Sequence, residues 1–328
     1  MSTNQESHIV CVGAVYTDTI LTVPHFPIED EKLRAKSITR RRGGNTANSL
    51  EVLSQLLRHD PSPAQSRTST NLHLIAVLPN AQSPASQFIV ESLPDVNIEC
   101  SLFRTDCQEA ASSYIIQSQA NRSRTIVSIN ELQEMQVSEF SQKVLQVATT
   151  DGGLDWKRAW FHFEGRIPDV THSCVEFLRK HLPHARVSVE CEKPERTGMA
   201  YVAKLADVVF YSKIWAEKNG YADARSFLEA QCADKRDGTI LCCTWGSGGA
   251  MAVKKGADDS WADVKAWKDE TTNVVDTIGA GDTFVAGMLF SLNNHEDWPL
   301  QRKLEFANEL AGRKVLQEGF GNLGAKMW

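Results

Sequence analysis

The chain has 328 residues, 42% hydrophobic and 23% charged, the composition of a soluble globular protein with a sizeable core; its length fits about two domains or one large α/β domain. A formal charge of −6 argues against nucleic acid as the main partner. No run approaches the ~20 apolar residues that span a bilayer, the start Met1-Ser2-Thr3-Asn4-Gln5-Glu6 lacks the regions of a signal peptide, and eight cysteines without metal-type or framework spacing predict reduced thiols and a cytoplasmic setting.

Ile9–Val15 reads as a buried first strand closed by Tyr16-Thr17-Asp18. Asp18 follows a strand's carboxyl end, where open α/β sheets place their ligand crevice, although a plain turn residue is the simpler use of a single Asp. Thr19–Val23 and Leu33–Thr39 are two further strand-like runs, divided by Pro24, Pro27 and Glu29-Asp30. Two hairpin-like runs directly after a buried strand depart from pure βαβ alternation. Arg40-Arg41-Arg42 is the one notably basic spot, beside the Gly43-Gly44 turn. A helix opens there, with Leu50, Leu53 and Leu57 inward and with Asn45 and Asn48 on one face of its first turn. Two such amides can hold adjacent hydroxyls; they can equally cap the helix.

Pro61–Asn71, polar and Pro/Ser-rich, reads as a surface loop. Leu72–Leu78 is a strand and Gln87–Leu93 a short helix. Ser112–Gln119 and Thr125–Ile129 make a second hairpin-like element, with Arg124 just before its second strand. Strands at Ala159–Phe163, Arg186–Glu190, Val208–Tyr211 and Thr239–Thr244 then alternate with helices at Val170–Leu182, Gly198–Ala206, Ala222–Ala233, Gly281–Leu292 and Pro299–Gln317. This alternation predicts a mostly parallel central sheet covered by helices on both faces. Thr244-Trp245-Gly246-Ser247-Gly248-Gly249 ends a buried strand in a Gly-rich turn, which lets backbone approach a flat or phosphorylated ligand.

Val274-Val275-Asp276 ends a β-rich run, and a small-residue turn, Thr277-Ile278-Gly279-Ala280-Gly281, leads into Asp282. The helix that follows carries Phe284, Val285, Met288, Leu289 and Leu292 on one stripe. Its first-turn N–H groups are unpaired and partly positive. The turn is thus a ready anion pocket with an ionised carboxylate at its mouth; the bland use of the same residues is an ordinary strand-to-helix turn. His162 and His172 have no third partner at ligand spacing, and no set of metal ligands can be named.

Gly279-Ala280-Gly281-Asp282 after Asp276-Thr277, with Arg42-Gly43-Gly44-Asn45-Thr46-Ala47-Asn48, resembles the two signatures of the ribokinase-like (PfkB) carbohydrate kinases. His162–Arg166, Val187–Pro194 and Asp207–Phe210 resemble the ketohexokinase (fructokinase) branch. The likeness covers nearly the whole chain and is weakest between His59 and Cys100. It implies a ribokinase-like α/β kinase core of residues 1–15, 41–98 and 131–328, with a small β-sheet lid from 16–40 and 99–130. It further implies ATP-dependent phosphorylation of a sugar hydroxyl, fructose to fructose 1-phosphate, with Mg2+ on the phosphates. In that scheme Asp282 is the base, the amides of Gly279, Ala280 and Gly281 form the anion hole, and Arg124 faces phosphate and substrate. Asp18, Gly44, Asn45 and Asn48 hold the sugar, while Thr244, Trp245, Gly246, Gly249 and Asn308 lie along the nucleotide. With a pKa near ~4, lowered further by the helix end, Asp282 is expected to act more by positioning than by basicity. A homodimer through the lid follows from the same likeness and from the lid's open edges.

The chain departs from the family pattern twice. Pro79-Asn80 stands where a Gly and an Asp are usual, and Ser212-Lys213-Ile214-Trp215 replaces an Asn-x-x-Glu element linked to magnesium, with Glu217 out of register. Metal handling would then pass through water, with Glu190 or Glu192 nearby. Two other readings share the fold: a kinase for another sugar or a nucleoside, and a catalytically silent sugar or nucleotide sensor. No Gly-x-Gly-x-x-Gly follows the first strand and no Gly-Lys-Ser/Thr occurs, which argues against a dinucleotide-dependent oxidoreductase and a P-loop NTPase.

Overall fold

His8-Ile9-Val10-Cys11-Val12 has no polar face to offer water, and such a strand belongs inside a parallel sheet covered on both sides. It forms β1 (Glu6–Val12), buried throughout except at Glu6. The computed structural model describes residues 6–62, 69–121, 123–149, 156–269 and 273–328. β1 is followed by β2 (Tyr16–Val23), β3 (Ser37–Gly43), α1 (Asn45–His59), β4 (Ser69–Ile75), β5 (Val77–Pro79) and α2 (Pro84–Glu91). Next come β6 (Val96–Asn97), β7 (Leu102–Arg104), β8 (Ser112–Ser118), β9 (Arg124–Ile129) and α3 (Val137–Thr149). The alternating half runs β10 (Ala159–Phe163), α4 (Pro168–His181), β11 (Arg186–Cys191), α5 (Met199–Leu205), β12 (Val208–Ser212), α6 (Lys213–Lys218), α7 (Ala224–Cys232) and β13 (Ile240–Thr244). A hairpin, β14 (Ala250–Lys254) and β15 (Ser260–Val264), precedes α8 (Ala280–Asn294) and α9 (Leu300–Lys314).

The nine-stranded sheet has the order β15-β14-β13-β12-β11-β10-β1-β4-β6. It is parallel from β6 to β13, and the two edge strands β14 and β15 run antiparallel. β4 and β10 flank β1 on opposite sides, so the strand order reverses at the carboxyl end of β1, the place where such sheets open a crevice. One core packs Leu50, Leu53 and Leu56 of α1 with Met288 and Leu289 of α8 and Leu304 and Leu310 of α9. The other, on the opposite face, joins Phe140 of α3, Cys174 and Leu178 of α4 and Phe227 of α7 to Phe161 and Val187. This is the ribokinase-like architecture that the resemblance implies. A second, four-stranded sheet, β3-β2-β8-β9, stands over the same end.

The expected strand at Leu33–Thr39 lies instead at Ser37–Gly43, and the expected Leu72–Leu78 divides at Ala76 into β4 and β5. Leu56, not Leu57, is the fully buried residue of that turn of α1. The supposed loop Pro61–Asn71 ends in strand from Ser69, and residues 63–68 within it lie outside the described residues. The β-rich run toward Asp276 is not a strand: among the described residues, none between 265 and 276 belongs to one. Val275 and Asp276 both donate their amides to the Val315 carbonyl, at 2.8 and 3.2 Å, which serves in place of a neighbouring strand. Several elements went unanticipated: helix α3, despite its inward Phe140 and Val144, the short helix α6, the short strands β6 and β7, and the hairpin β14–β15.

Gly44 caps α1 at φ +99°, and a Cβ there would stand 2.3 Å from the Ala14 carbonyl oxygen. Gly44→Ala should therefore cost about 1–3 kcal/mol, read as a lower urea midpoint at unchanged m-value.

Candidate active site

Helices α1 and α8 pack against each other with their amino ends at the same end of the sheet, and this brings two distant side chains together. Asn48 Nδ2 donates to Asp282 Oδ2 at 2.7 Å, and Ser49 Oγ donates to the Asp282 carbonyl at 3.1 Å. The Asn48 amide is fixed from behind, because Arg42 Nη1 donates to its Oδ1 at 2.8 Å. Arg42 is itself buried and anchored on Glu51. A guanidinium can only donate, so the amide oxygen must face Arg42 and the amide nitrogen must face the carboxylate.

Asp282 is not the low-pKa carboxylate expected from a helix end. Burial pushes its pKa up to about 8; the negative charge of Glu190 adds to this, the Asn48 hydrogen bond opposes it, and Glu192 and Glu164 contribute. Desolvation outweighs the helix end because the side chain is only 7% exposed in α8's first turn. Glu190 is raised well above the ordinary carboxylate range, chiefly by burial and then by Glu192 and Glu164. Its Oε1 lies 3.1 Å from Nε2 of His162, whose pKa burial lowers to about 3. The neutral His162 is thus part of the core, as its place in an apolar strand predicts. His172 lies on α4 beside Glu176, away from these groups.

The turn ahead of Asp282 begins at Asp276, whose Oδ1 accepts from the Ile278 amide at 2.9 Å. Gly279 caps α8 at φ +75°, and a Cβ there would meet the Phe320 ring at 2.4 Å. The Gly279 and Gly281 amides take no backbone acceptor outside the helix among the described residues, while Ala280 leans back to the Thr277 carbonyl at 3.3 Å. Two of the three expected donors are therefore free and the third is partly engaged. Arg124 meets Asp276 across this turn at 3.5 Å, and Arg41 approaches the same carboxylate at 3.9 Å.

A pocket of about 390 Å³ opens on one side of Gly281, lined by Thr244, Gly246, Gly249, Trp267, Asn308 and Gly312 among others. Trp245 is not among its lining residues; its ring lies under Lys213 at 5.5 Å and against Gly248. On the other side a cavity of about 70 Å³ is lined by Asn45, Glu190, Glu192, Gly281 and Asp282. Asn45 Nδ2 donates to Glu192 Oε2 at 3.1 Å, so Asn45 and Asn48 have different partners within the protein. Asp18 is buried on β2, and Arg41 Nε reaches its Oδ2 at 3.5 Å. Gly43 makes that possible, since a Cβ there would stand 2.6 Å from both Asp18 carboxylate oxygens.

Ser212, the first residue of the departed Asn-x-x-Glu element, accepts from the Trp215 amide and donates to the Glu192 carbonyl at 2.7 Å. It caps α6 and holds the backbone of Glu192. Glu217 pairs outward with Lys213. Sequence reasoning missed the roles of Arg41, Asp276 and Lys314, which meet at one carboxylate. The signal for Lys314 was present, a lysine continuing the apolar stripe Leu304, Ala307, Leu310 of α9.

Fold and site together define a class, the sugar kinases of ribokinase-like architecture. The chain matches the pfkB family carbohydrate kinases over residues 6–325 and belongs to that family. It is similar to ketohexokinase of Mus musculus, 31% identical over 327 residues, which are 97% of this chain and 99% of that protein. Among solved structures, ribokinase of Arabidopsis thaliana complexed with ribose and ATP is 16% identical with a TM-score of 0.72, covering 98% of this chain and 99% of that one. The nucleoside kinase of Methanocaldococcus jannaschii is 16% identical with a TM-score of 0.70, over 99% and 98% of the two chains. No helix among the described residues is long and apolar enough to cross a membrane.

Activity that required an ionised Asp282 would show a kcat/KM that rises with pH toward about 8 and levels above it. Asn48→Ala removes the hydrogen bond that favours the charged form and should move the midpoint upward. A midpoint near the ordinary carboxylate value would contradict this electrostatic picture. Stability follows the same linkage. The folded pKa lies above the unfolded one, so this group's contribution is full only below the ordinary carboxylate pKa of ~4, falls as pH rises from there, and is lost once pH passes about 8. Asp282→Asn should accordingly melt higher than the parent chain in neutral and alkaline buffer and close to it only at pH ~4 or below.

Proposed function

We propose that this chain is a ketohexokinase that transfers the γ-phosphoryl group of ATP to a ketohexose hydroxyl, with fructose as leading substrate and fructose 1-phosphate as product. The observation that carries the reading is Asp282, held by Asn48 at 2.7 Å between a nucleotide-sized pocket and the Asp18 side of the cleft. The 31% identity to mouse ketohexokinase over nearly the whole chain supports the choice of sugar. The ATP-bound ribokinase of the same fold supports the nucleotide.

Phosphoryl transfer asks for alignment and charge stabilisation more than covalent chemistry. Asp282 orients the sugar hydroxyl and takes its proton, and its raised pKa makes it a stronger base than a solvated aspartate. Gly279 and Gly281, with part of Ala280, offer N–H groups to charge developing on the transferred group. Arg124 adds a guanidinium from the second sheet, which acts as a lid. Asp18, the Gly44 backbone and the remaining N–H of Asn48 bind sugar hydroxyls, and Asn45 steadies Glu192. Thr244, Gly246, Gly249 and Asn308 line the nucleoside, while Trp245 supports their turn from outside the pocket.

The described residues include no group of three acids or histidines able to hold a metal unaided. A magnesium ion would then be held mostly by water and phosphate, with Glu192 at the small cavity available as a carboxylate. Magnesium, when bound, neutralises triphosphate charge. The lid's Ile38, Tyr114, Val127 and Ile129 are all about half exposed, and a homodimer formed through this sheet would cover them. The eight free thiols, all but Cys107 buried, suit a cytoplasmic setting.

Purified protein assayed for ADP release across ketohexoses, aldohexoses, ribose and nucleosides should show its highest kcat/KM with fructose. Asp282→Asn should lose turnover by about 10³-fold or more while calorimetry finds ADP affinity little changed. Preference for ribose or a nucleoside would replace the substrate, and near-normal kcat in the variant would remove Asp282 from its role.

A further inference from the structure

Lys314 is fully enclosed, at 0% exposure on the apolar stripe of α9, as no other lysine or arginine among the described residues is. An ammonium group loses its hydration there unless oxygens replace the water. Three do so: Nζ donates to the Asp276 carboxylate Oδ2 at 2.8 Å, to the Asp276 carbonyl at 3.0 Å, and to the Gln317 carbonyl at 3.5 Å. The Phe320 ring lies 5.4 Å from Nζ. Burial lowers the ammonium's pKa while its bond to Asp276 raises it.

The same groups build the turn ahead of Asp282. Asp276 Oδ1 starts it by accepting from Ile278, the Val315 carbonyl receives the Val275 and Asp276 amides, and Phe320 abuts Gly279. With Lys314 saturating Oδ2 and the carbonyl from below, Asp276 keeps Oδ1 for Ile278 and for Arg124 at 3.5 Å. Removing the ammonium would leave a carboxylate and two carbonyl oxygens facing one another in a buried space. Such a nest would have to collapse or admit a cation.

We propose that the Lys314 ammonium is a tethered monovalent cation, filling an oxygen nest beneath the Asp276–Gly281 turn and setting the Gly279 and Gly281 amides for catalysis, so that the turn needs no exchangeable cation. Lys314 touches no substrate in this scheme and is a positioning residue. The proposal rests on the reading of that turn as the phosphoryl anion hole.

The test compares the full-length chain with Lys314→Met, which keeps the stem without the charge, and Lys314→Ala, which leaves room for an ion. The parent chain should turn over equally in tetramethylammonium, sodium and potassium chloride at equal ionic strength. Lys314→Met should remain folded by circular dichroism and lose kcat by roughly 100-fold in every salt, with ADP and sugar affinities nearly unchanged. Lys314→Ala should lose as much, then regain about tenfold in ammonium or potassium chloride but not in tetramethylammonium, with its melting temperature rising in the same salts. Parent-chain activation by potassium, a Lys314→Met variant with normal kcat, or a folded Lys314→Ala variant rescued in neither kcat nor melting temperature would each overturn the proposal. If Lys314→Ala does not fold, Lys314→Met decides. A parent chain inactive on every sugar would sink the functional reading alone, and the melting temperatures would still judge Lys314.

Discussion

The hydrogen bond from Asn48 to Asp282 joins the amino ends of α1 and α8 at the cleft, and the site depends on it. Asn48 can make that bond because Arg42, at the end of β3, claims the amide's oxygen and leaves its nitrogen for the carboxylate. Arg42 stays in place because Glu51 on α1 balances its charge. A buried carboxylate is thus held by a chain of charge and amide dipoles reaching from β3 through α1 into α8. Arg42, Asn48 and Asp282 are all buried, and in such surroundings a misplaced partner costs more than it would at the surface.

Burial also determines what kind of acid Asp282 is. A helix end favours a charged carboxylate, but here that preference is overruled by lost water and by Glu190 and Glu192 across the small cavity. Glu190 lies on β11 and Glu192 just past its end, and their approach follows from the parallel pairing of β10, β11 and β12. Glu190 is further constrained by a neutral histidine in the adjacent strand. The chemistry of one residue in α8 is therefore written largely by the sheet beneath it.

How much of this could be read from the chain depends on the range of the interaction involved. β10 to β13 were legible because each is a short apolar run buried on both faces, and the turn at Gly279–Asp282 because small residues before an amphipathic stripe have few other uses. The raised pKa of Asp282 was not legible, since it needs neighbours far away in sequence. Val274 and Val275 misled for a related reason. They are apolar and β-branched, yet both are exposed, and the backbone at Val275 and Asp276 is held by one carbonyl after α9 and not by a strand. Trp245 belongs to the Gly-rich turn by its place in the motif, while the position of its ring, near Lys213 and Gly248, could be found only in three dimensions. Asn45 and Asn48 were rightly placed on one helix turn, while the separate partners that claim them could be found only in three dimensions.

Arg41 reaches both Asp18, on β2, and Asp276, at the start of the turn ahead of Asp282. One guanidinium on β3 thus faces a carboxylate of its own small sheet and a carboxylate of the turn that leads into α8. Whatever engages one carboxylate changes what the cation can offer the other. Thermodynamics requires that such an influence be equal in both directions, so a ligand on the Asp18 side and a ligand on the Asp276 side would report on each other to the same extent.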